Sequence, residues 1–181
     1  RRLLHIGRLV KWKRVDLLIE AFRKVAADYP EAELVIVGDG PELDNLRQQA
    51  NDLQLTDSIR FIGAVYDPKT LGAYMNESSI YVLAGMGGLS YCMPVLCAVC
   101  DSTERDLVME GKNGYFFKDG DADSLADRIR EMFESPERCK EMGKESERMI
   151  RKKINMETVS ERYLKAFQEI LRLTHSRDSD N

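Results

Sequence analysis

Histidine, tryptophan and cysteine are scarce in this chain of 181 residues, which has two, one and four of them. The two histidines, His5 and His175, stand at opposite ends of the chain. Cys92, Cys97 and Cys100 fall in or beside an apolar run, where cysteine behaves as a small hydrophobe. Cys97 and Cys100 have C-x-x-C spacing, but no second pair or histidine completes a metal set, so no metal site is expected. Together with Cys139 they read as reduced core thiols of a cytosolic protein. The net charge of −4 offers no long-range attraction to nucleic acid or to an anionic membrane. No apolar run approaches the roughly 20 residues of a membrane-spanning helix, and no signal peptide is recognisable. Repeats and low-complexity segments are also missing.

What the chain does have is a regular alternation. It opens on Arg1-Arg-Leu-Leu-His-Ile-Gly7, the middle of a strand without an initiator Met, and so reads as part of something longer. Apolar runs at 3–6, 34–37, 59–62, 79–83, 93–99 and 114–117 predict six strands. Between them, Val15, Leu18, Ile19, Phe22 and Val25 recur at helical spacing from about Arg14 to before Pro30. A second helix is predicted with Pro41 as its first residue, carrying Leu43, Leu46, Ala50 and Leu53. A third covers 69–75, and from Asp121 the pattern is purely helical, ending in a closing helix over 156–173 and a polar tail, 174–181, expected to be disordered. Strands joined through helices by short connections define the fold class: α/β, a Rossmann-like doubly wound parallel sheet of about six strands with helices on both faces. Length and pattern make 1–173 one domain.

The turns after successive parallel strands share one edge of such a sheet, where nucleotide phosphates usually lie. After the first strand come Gly7, Arg8 and Lys13, two cations five residues apart that can reach one pyrophosphate, Arg as a fork and Lys as a point charge. Gly38-Asp39-Gly40 follows the second strand. Its glycines allow a ribose or base to pack on the backbone, and the Asp39 side chain either binds a hydroxyl or, the favoured role, caps the helix at Pro41. Gly63 and Val65 end the third strand and offer main-chain groups to a nucleobase. Gly85, Met86, Gly87, Gly88, Leu89 and Ser90 follow the fourth, a glycine-rich turn whose N–H groups suit an anion. Glu104 stands near the start of a helix after the fifth, where an acid suits the helix dipole. No nucleophile–base pair, metal cluster or P-loop appears, so the chain reads as a holder of phosphate and nucleotide.

The run Gly7-Arg8-Leu9-x-x-x-Lys13-Arg-Val-Asp-Leu-Leu-Ile-Glu-Ala-Phe22 resembles the opening of the donor-binding half of group 1 (family 4) retaining glycosyltransferases. Leu34-Val-Ile-Val-Gly-Asp-Gly-Pro41, Phe61-Ile-Gly63, Met93-Pro94-Val95, and Glu104-x-x-Val-x-x-Gly111-x-Asn-Gly114 resemble further motifs of that family in order, as does Glu161-Arg-Tyr-Leu-x-x-Phe. The resemblance implies the carboxyl-terminal half of a two-domain GT-B enzyme. In it, Arg8 and Lys13 hold the diphosphate of a UDP- or GDP-sugar and stabilise the leaving group. The glycine turn contacts phosphates and sugar, 61–65 lines the base site, and the anomeric configuration is retained. No metal or other cofactor is implied, because the cations supply the charge stabilisation. Partners would be the nucleotide sugar and an amino-terminal acceptor domain of the same protein, in the cytoplasm or at the inner face of the membrane, with no turnover from this half alone.

Two departures accompany the resemblance. Gly85 stands where the family has a glutamate that touches the donor sugar, and Ser90 is followed by Tyr91-Cys92 about six residues short of family spacing, before a second glutamate appears. The seven residues from Met86 to Cys92 are few for a parallel crossover, typically at least ten to twelve. That favours two pieces joined across an absent loop over a lost helix start. Three other functions compete. A nucleotide-sugar epimerase of similar build would need acids and histidines that the chain does not show. A non-catalytic diphosphate-binding module would be favoured by loss of both glutamates. A structural domain predicts that Arg8 and Lys13 do not matter.

Overall fold

In chain order the elements are β1 (Arg2–Ile6), a 3₁₀ turn (Lys11–Lys13), α1 (Val15–Asp28), β2 (Glu33–Val37), α2 (Leu43–Asp52), β3 (Ile59–Gly63) and α3 (Pro68–Asn76). They continue with β4 (Ile80–Leu83), β5 (Val95–Ala98), β6 (Gly114–Phe117), α4 (Ala122–Glu134) and α5 (Pro136–Lys153). They are seen in a computed structural model that describes residues 1–84, 93–98 and 108–153. The closing helix, the tail, Cys92, Cys100, Glu104 and the glycine turn 85–90 all lie outside the described residues.

All five registered strand pairs are parallel, and the order is β3-β2-β1-β4-β5-β6. This is the expected doubly wound sheet. Consecutive strands run outward from β1 to β3 and then, from β4, outward the other way. Where the order reverses, connections leave toward opposite faces and a crevice forms outside the carboxyl ends of β1 and β4.

Strand alternation sends Leu3, Leu34, Ile36, Ile80, Val82 and Leu96 to one face, beneath α1, α2 and α4. Leu18 and Phe22 of α1 and Ile129 of α4 close that core and are fully buried. Each such side chain contributes about 2–3 kcal/mol of burial. Leu4, Val35, Val37, Leu83 and Cys97 go to the other face, against Leu71, Tyr74 and Met75 of α3. The strands are therefore apolar on both sides, as a covered parallel sheet requires.

Side chains cap two of the helices. Asp67 accepts from the Thr70 amide at 2.9 Å and starts α3, with Pro68 as its first residue. Asp121 accepts from the Asp123 and Ser124 amides, each at 3.0 Å, and starts α4. The expectation for α2 is corrected. The helix begins at Leu43 rather than Pro41, and no side chain caps it. Asp39 Oδ1 instead accepts from the amide of Gly40, its own neighbour, at 2.7 Å. Two residues of turn intervene because Glu42 N donates to Leu9 O at 3.1 Å, tying the entry of α2 to the turn after β1.

Candidate functional site

The turns after β1, β2 and β3 are tied together by their backbones. Gly7 N donates to Val37 O at 3.0 Å and Leu9 N to Asp39 O at 2.9 Å. Gly38 N donates to Gly63 O at 2.8 Å. Just before this point the β2–β3 register slips, since Ile36 pairs with Phe61 but Val37 with Gly63. Such a bulge bends the strand where a turn must be aimed. Gly7, Arg8, Gly38, Asp39, Gly40, Gly63 and Val65 are thus drawn into one edge, with Lys13 following on the 3₁₀ turn.

The glycines do different things here. A Cβ on Gly38 would lie 1.8 Å from Gly7 O, and one on Gly40 would lie 2.2 Å from Leu9 O. These two positions are glycine because another turn's backbone occupies the space, which is a reason independent of any ligand. Beside Gly63 the space is open. Val65 is half-buried against the α3 face, so it presents backbone more than side chain.

Arg8 is exposed, its carbonyl accepts from Val10 N at 3.1 Å, and its side chain makes no hydrogen bond or ion pair among the described residues. Lys13 is half-buried at the end of the 3₁₀ turn. The next residue, Arg14, holds a left-handed φ of 49° without being glycine. A side chain there costs of order 1 kcal/mol, and such strain gathers at ligand-holding loops. The edge therefore presents an unpaired guanidinium, a second cation and several turn backbones, a combination suited to a polyanion. Among the described residues no three His, Cys, Asp or Glu side chains come together as metal ligands.

Three side chains at this edge carried no functional reading from sequence. Trp12, 57% exposed, stands between Lys11 and Lys13, and Tyr66, 89% exposed, follows Val65. His5, only 1% exposed, lies in β1 two residues before Gly7. A histidine inside an apolar strand was the available signal. Its Nδ1 is 3.0 Å from Val82 O, and its Nε2 is buried without a partner among the described residues. A carbonyl only accepts, so Nδ1 carries the proton. Burial foremost, with the charge of Lys13 added and the Val82 bond opposing, pushes its pKa down to about 4.

A pH dependence follows. The unfolded histidine takes up its proton near pH 6.5, and the folded one resists until about 4. The stability it contributes is complete above the unfolded value and is lost as pH falls from there toward the folded value. Unfolding free energy from urea titrations is expected to fall by about 2 kcal/mol between pH 7 and pH 5, and to stay level in His5→Asn. An equally steep fall in the variant would contradict this.

A groove of about 570 Å³ lies at the opposite, amino edge of the sheet, lined by Arg1, Ser79, Pro94, Phe133, Cys139 and Lys144 among others. Neither Arg8 nor Lys13, nor any of the turns after β1, β2 and β3, lines it.

A doubly wound sheet with a cationic, backbone-lined crevice at its switch point is the build of a nucleotide-binding half-domain. The family of glycosyl transferases group 1 matches residues 1–149, and the chain belongs to that family. It is 26% identical over 175 residues to N-acetyl-alpha-D-glucosaminyl L-malate synthase of Bacillus anthracis, covering 94% of this chain and 46% of that one. The chain spans about half the length of the curated relatives it matches. In fold it is similar to a Staphylococcus aureus TarM variant crystallised with fondaparinux, alpha-GlcNAc-glycerol and UDP, at a TM-score of 0.84 and 24% identity, over 92% of this chain and 35% of that one. It is also similar to the C-terminal domain of a group 1 glycosyl transferase, LpcC, from Francisella tularensis, at a TM-score of 0.74 and 19% identity, over 86% of this chain and 87% of that one. The fold is that of one half of a GT-B glycosyltransferase. Among the described residues no helix is long and apolar enough to cross a membrane.

Proposed function

We propose that this chain is the nucleotide-sugar-binding half of a retaining glycosyltransferase. Its donor is a UDP- or GDP-linked hexose, and its acceptor is a glycan, lipid or protein presented by an amino-terminal domain of the same protein. Arg8 carries the reading, being an exposed guanidinium without a counter-ion among the described residues at the carboxyl end of β1. As the bond from the sugar's anomeric carbon to the diphosphate breaks, negative charge gathers on the departing phosphate. Arg8 and Lys13 stabilise that charge with no metal required, and a fixed pair of cations does so without reorganisation. The turn backbones at Gly38–Gly40 and Gly63–Val65 hold ribose and base. The uridine diphosphate in the TarM complex supports this donor class, and the separately crystallised LpcC domain supports the assignment as a carboxyl-terminal half.

Acceptor binding belongs to the other half, so this chain binds donor but does not turn it over. Calorimetry with UDP and with GDP tests the reading and separates the two nucleotides. One of them should bind with measurable heat, and no heat from either would sink the proposal.

A further inference from the structure

The β1–β4 seam is unlike its neighbours. β1 and β2 stay in register from Arg2 to Ile6, five pairs in all. β4 and β5 stay in register through Leu83 and Cys97. Between β1 and β4, however, only Leu3↔Ile80 and Leu4↔Tyr81 pair, although both strands run two residues further. Two side chains act where the ladder stops. His5 donates from Nδ1 to Val82 O at 3.0 Å across the seam. Tyr81 Oη–H donates to Ile6 O at 2.9 Å in the opposite direction. One bond starts from β1 and the other from β4, and strand alternation puts His5 on the face of Leu3, the α1 side, while Tyr81 packs on the α3 side. Each satisfies a carbonyl that the interrupted ladder would otherwise leave buried and unpaired.

We propose that His5 and Tyr81 are positioning residues that hold the switch point open, setting the Gly7–Lys13 loop at a fixed distance from the end of β4 at Ala84. The inference rests on the donor-binding reading and names what shapes that same site. His5 Nε2 lies 3.4 Å from where a Cβ on Gly7 would stand, so the ring is the floor under the first turn of the cleft. A parallel ladder carried on to Ile6 and Leu83 would close the two strands to ordinary spacing, about 4.8 Å, and leave no room between their turns. An imidazole on one side and a phenol on the other replace ladder bonds with longer bridges, at no cost in unsatisfied carbonyls.

The test uses the chain itself. Nitrogen NMR of the His5 ring at pH 7 should show Nδ1 protonated and Nε2 bare, and the opposite tautomer overturns the inference with or without a ligand. Calorimetry with UDP and GDP then compares wild type with His5→Leu, His5→Asn, Tyr81→Phe and Arg8→Ala. His5→Leu keeps the volume but removes the donor, and should weaken binding about 10-fold. His5→Asn keeps an N–H where Nδ1 stood, and should restore binding to within about 3-fold of wild type. Tyr81→Phe, which removes one hydroxyl, should weaken binding by about 3–10-fold without loss of fold. If Arg8→Ala abolishes binding while His5→Leu and Tyr81→Phe bind as wild type does, the positioning role is wrong and the donor reading stands. If wild type binds neither nucleotide, the donor reading fails and the positioning role fails with it.

Discussion

A Gly38→Ala variant is expected to lose more than about 4 kcal/mol of unfolding free energy, enough to leave much of the chain unfolded near 37 °C. The new Cβ would stand 1.8 Å from Gly7 O and 2.9 Å from its carbonyl carbon, and both are backbone, so no rotamer change relieves the clash. Gly38 also holds φ at 148°, which an L side chain rarely adopts. Gly7 cannot retreat, because its own N–H is committed to Val37 O and the next turn bond joins Leu9 N to Asp39 O. Separating the turns would break those bonds and the Gly38 N to Gly63 O bond together. Gly72→Ala is the control, since that glycine sits inside α3 with nothing within 4 Å of its would-be Cβ. It should be neutral or stabilising by up to about 1 kcal/mol. Thermal or urea unfolding of the two variants checks both, and an unchanged midpoint for Gly38→Ala would contradict the packing described.

Arg8→Ala is expected to weaken nucleoside-diphosphate binding by about 100-fold, which corresponds to about 3 kcal/mol. A guanidinium on a diphosphate makes two charge-assisted bonds in a fixed fork, each roughly twice the strength of a neutral one. Arg8 has no ion pair to give up among the described residues, so little of that gain is spent on breaking an existing contact. Lys13→Ala should cost less, about 10-fold, because an ammonium is a point charge on a flexible stem. Arg8→Lys should fall between wild type and Arg8→Ala, keeping the charge but losing the fork. Raising salt from 50 to 300 mM should weaken wild-type binding more than that of Arg8→Ala. Surface cations that merely solvate the turn would leave all of these titrations unchanged.

The frame of this fold was legible in the sequence because both of its signals are local. Apolar runs too short for helices, set between stretches with helical spacing, mark covered strands and their crossovers, and six strands in parallel followed. The edge was legible too, because every turn after a strand must share it. What escaped depends on atoms distant in sequence. That Gly38 and Gly40 face the backbone of Gly7 and Leu9 is visible only once β1 and β2 lie side by side. Asp39 looked like a cap for a helix at Pro41, yet its carbonyl is held by Leu9 and its side chain by Gly40, and the helix waits until Leu43. His5 carries no functional reading from sequence because its burial and its bond to Val82 depend on a residue 77 positions later. The cations Arg8 and Lys13 could be named from the first turn alone.

The central claim is that one edge of the sheet, at the carboxyl ends of β1 to β3, holds a nucleoside diphosphate. Amide NMR during titration with UDP or GDP tests it most directly. The signals of Gly7, Arg8, Lys13, Gly38 to Gly40 and Gly63 to Val65 should move together at one saturation point, while those of Cys139, Lys140 and Lys144 at the opposite edge stay in place. Movement confined to the groove beside Arg1, Phe133 and Cys139, or none at saturating nucleotide, would contradict it.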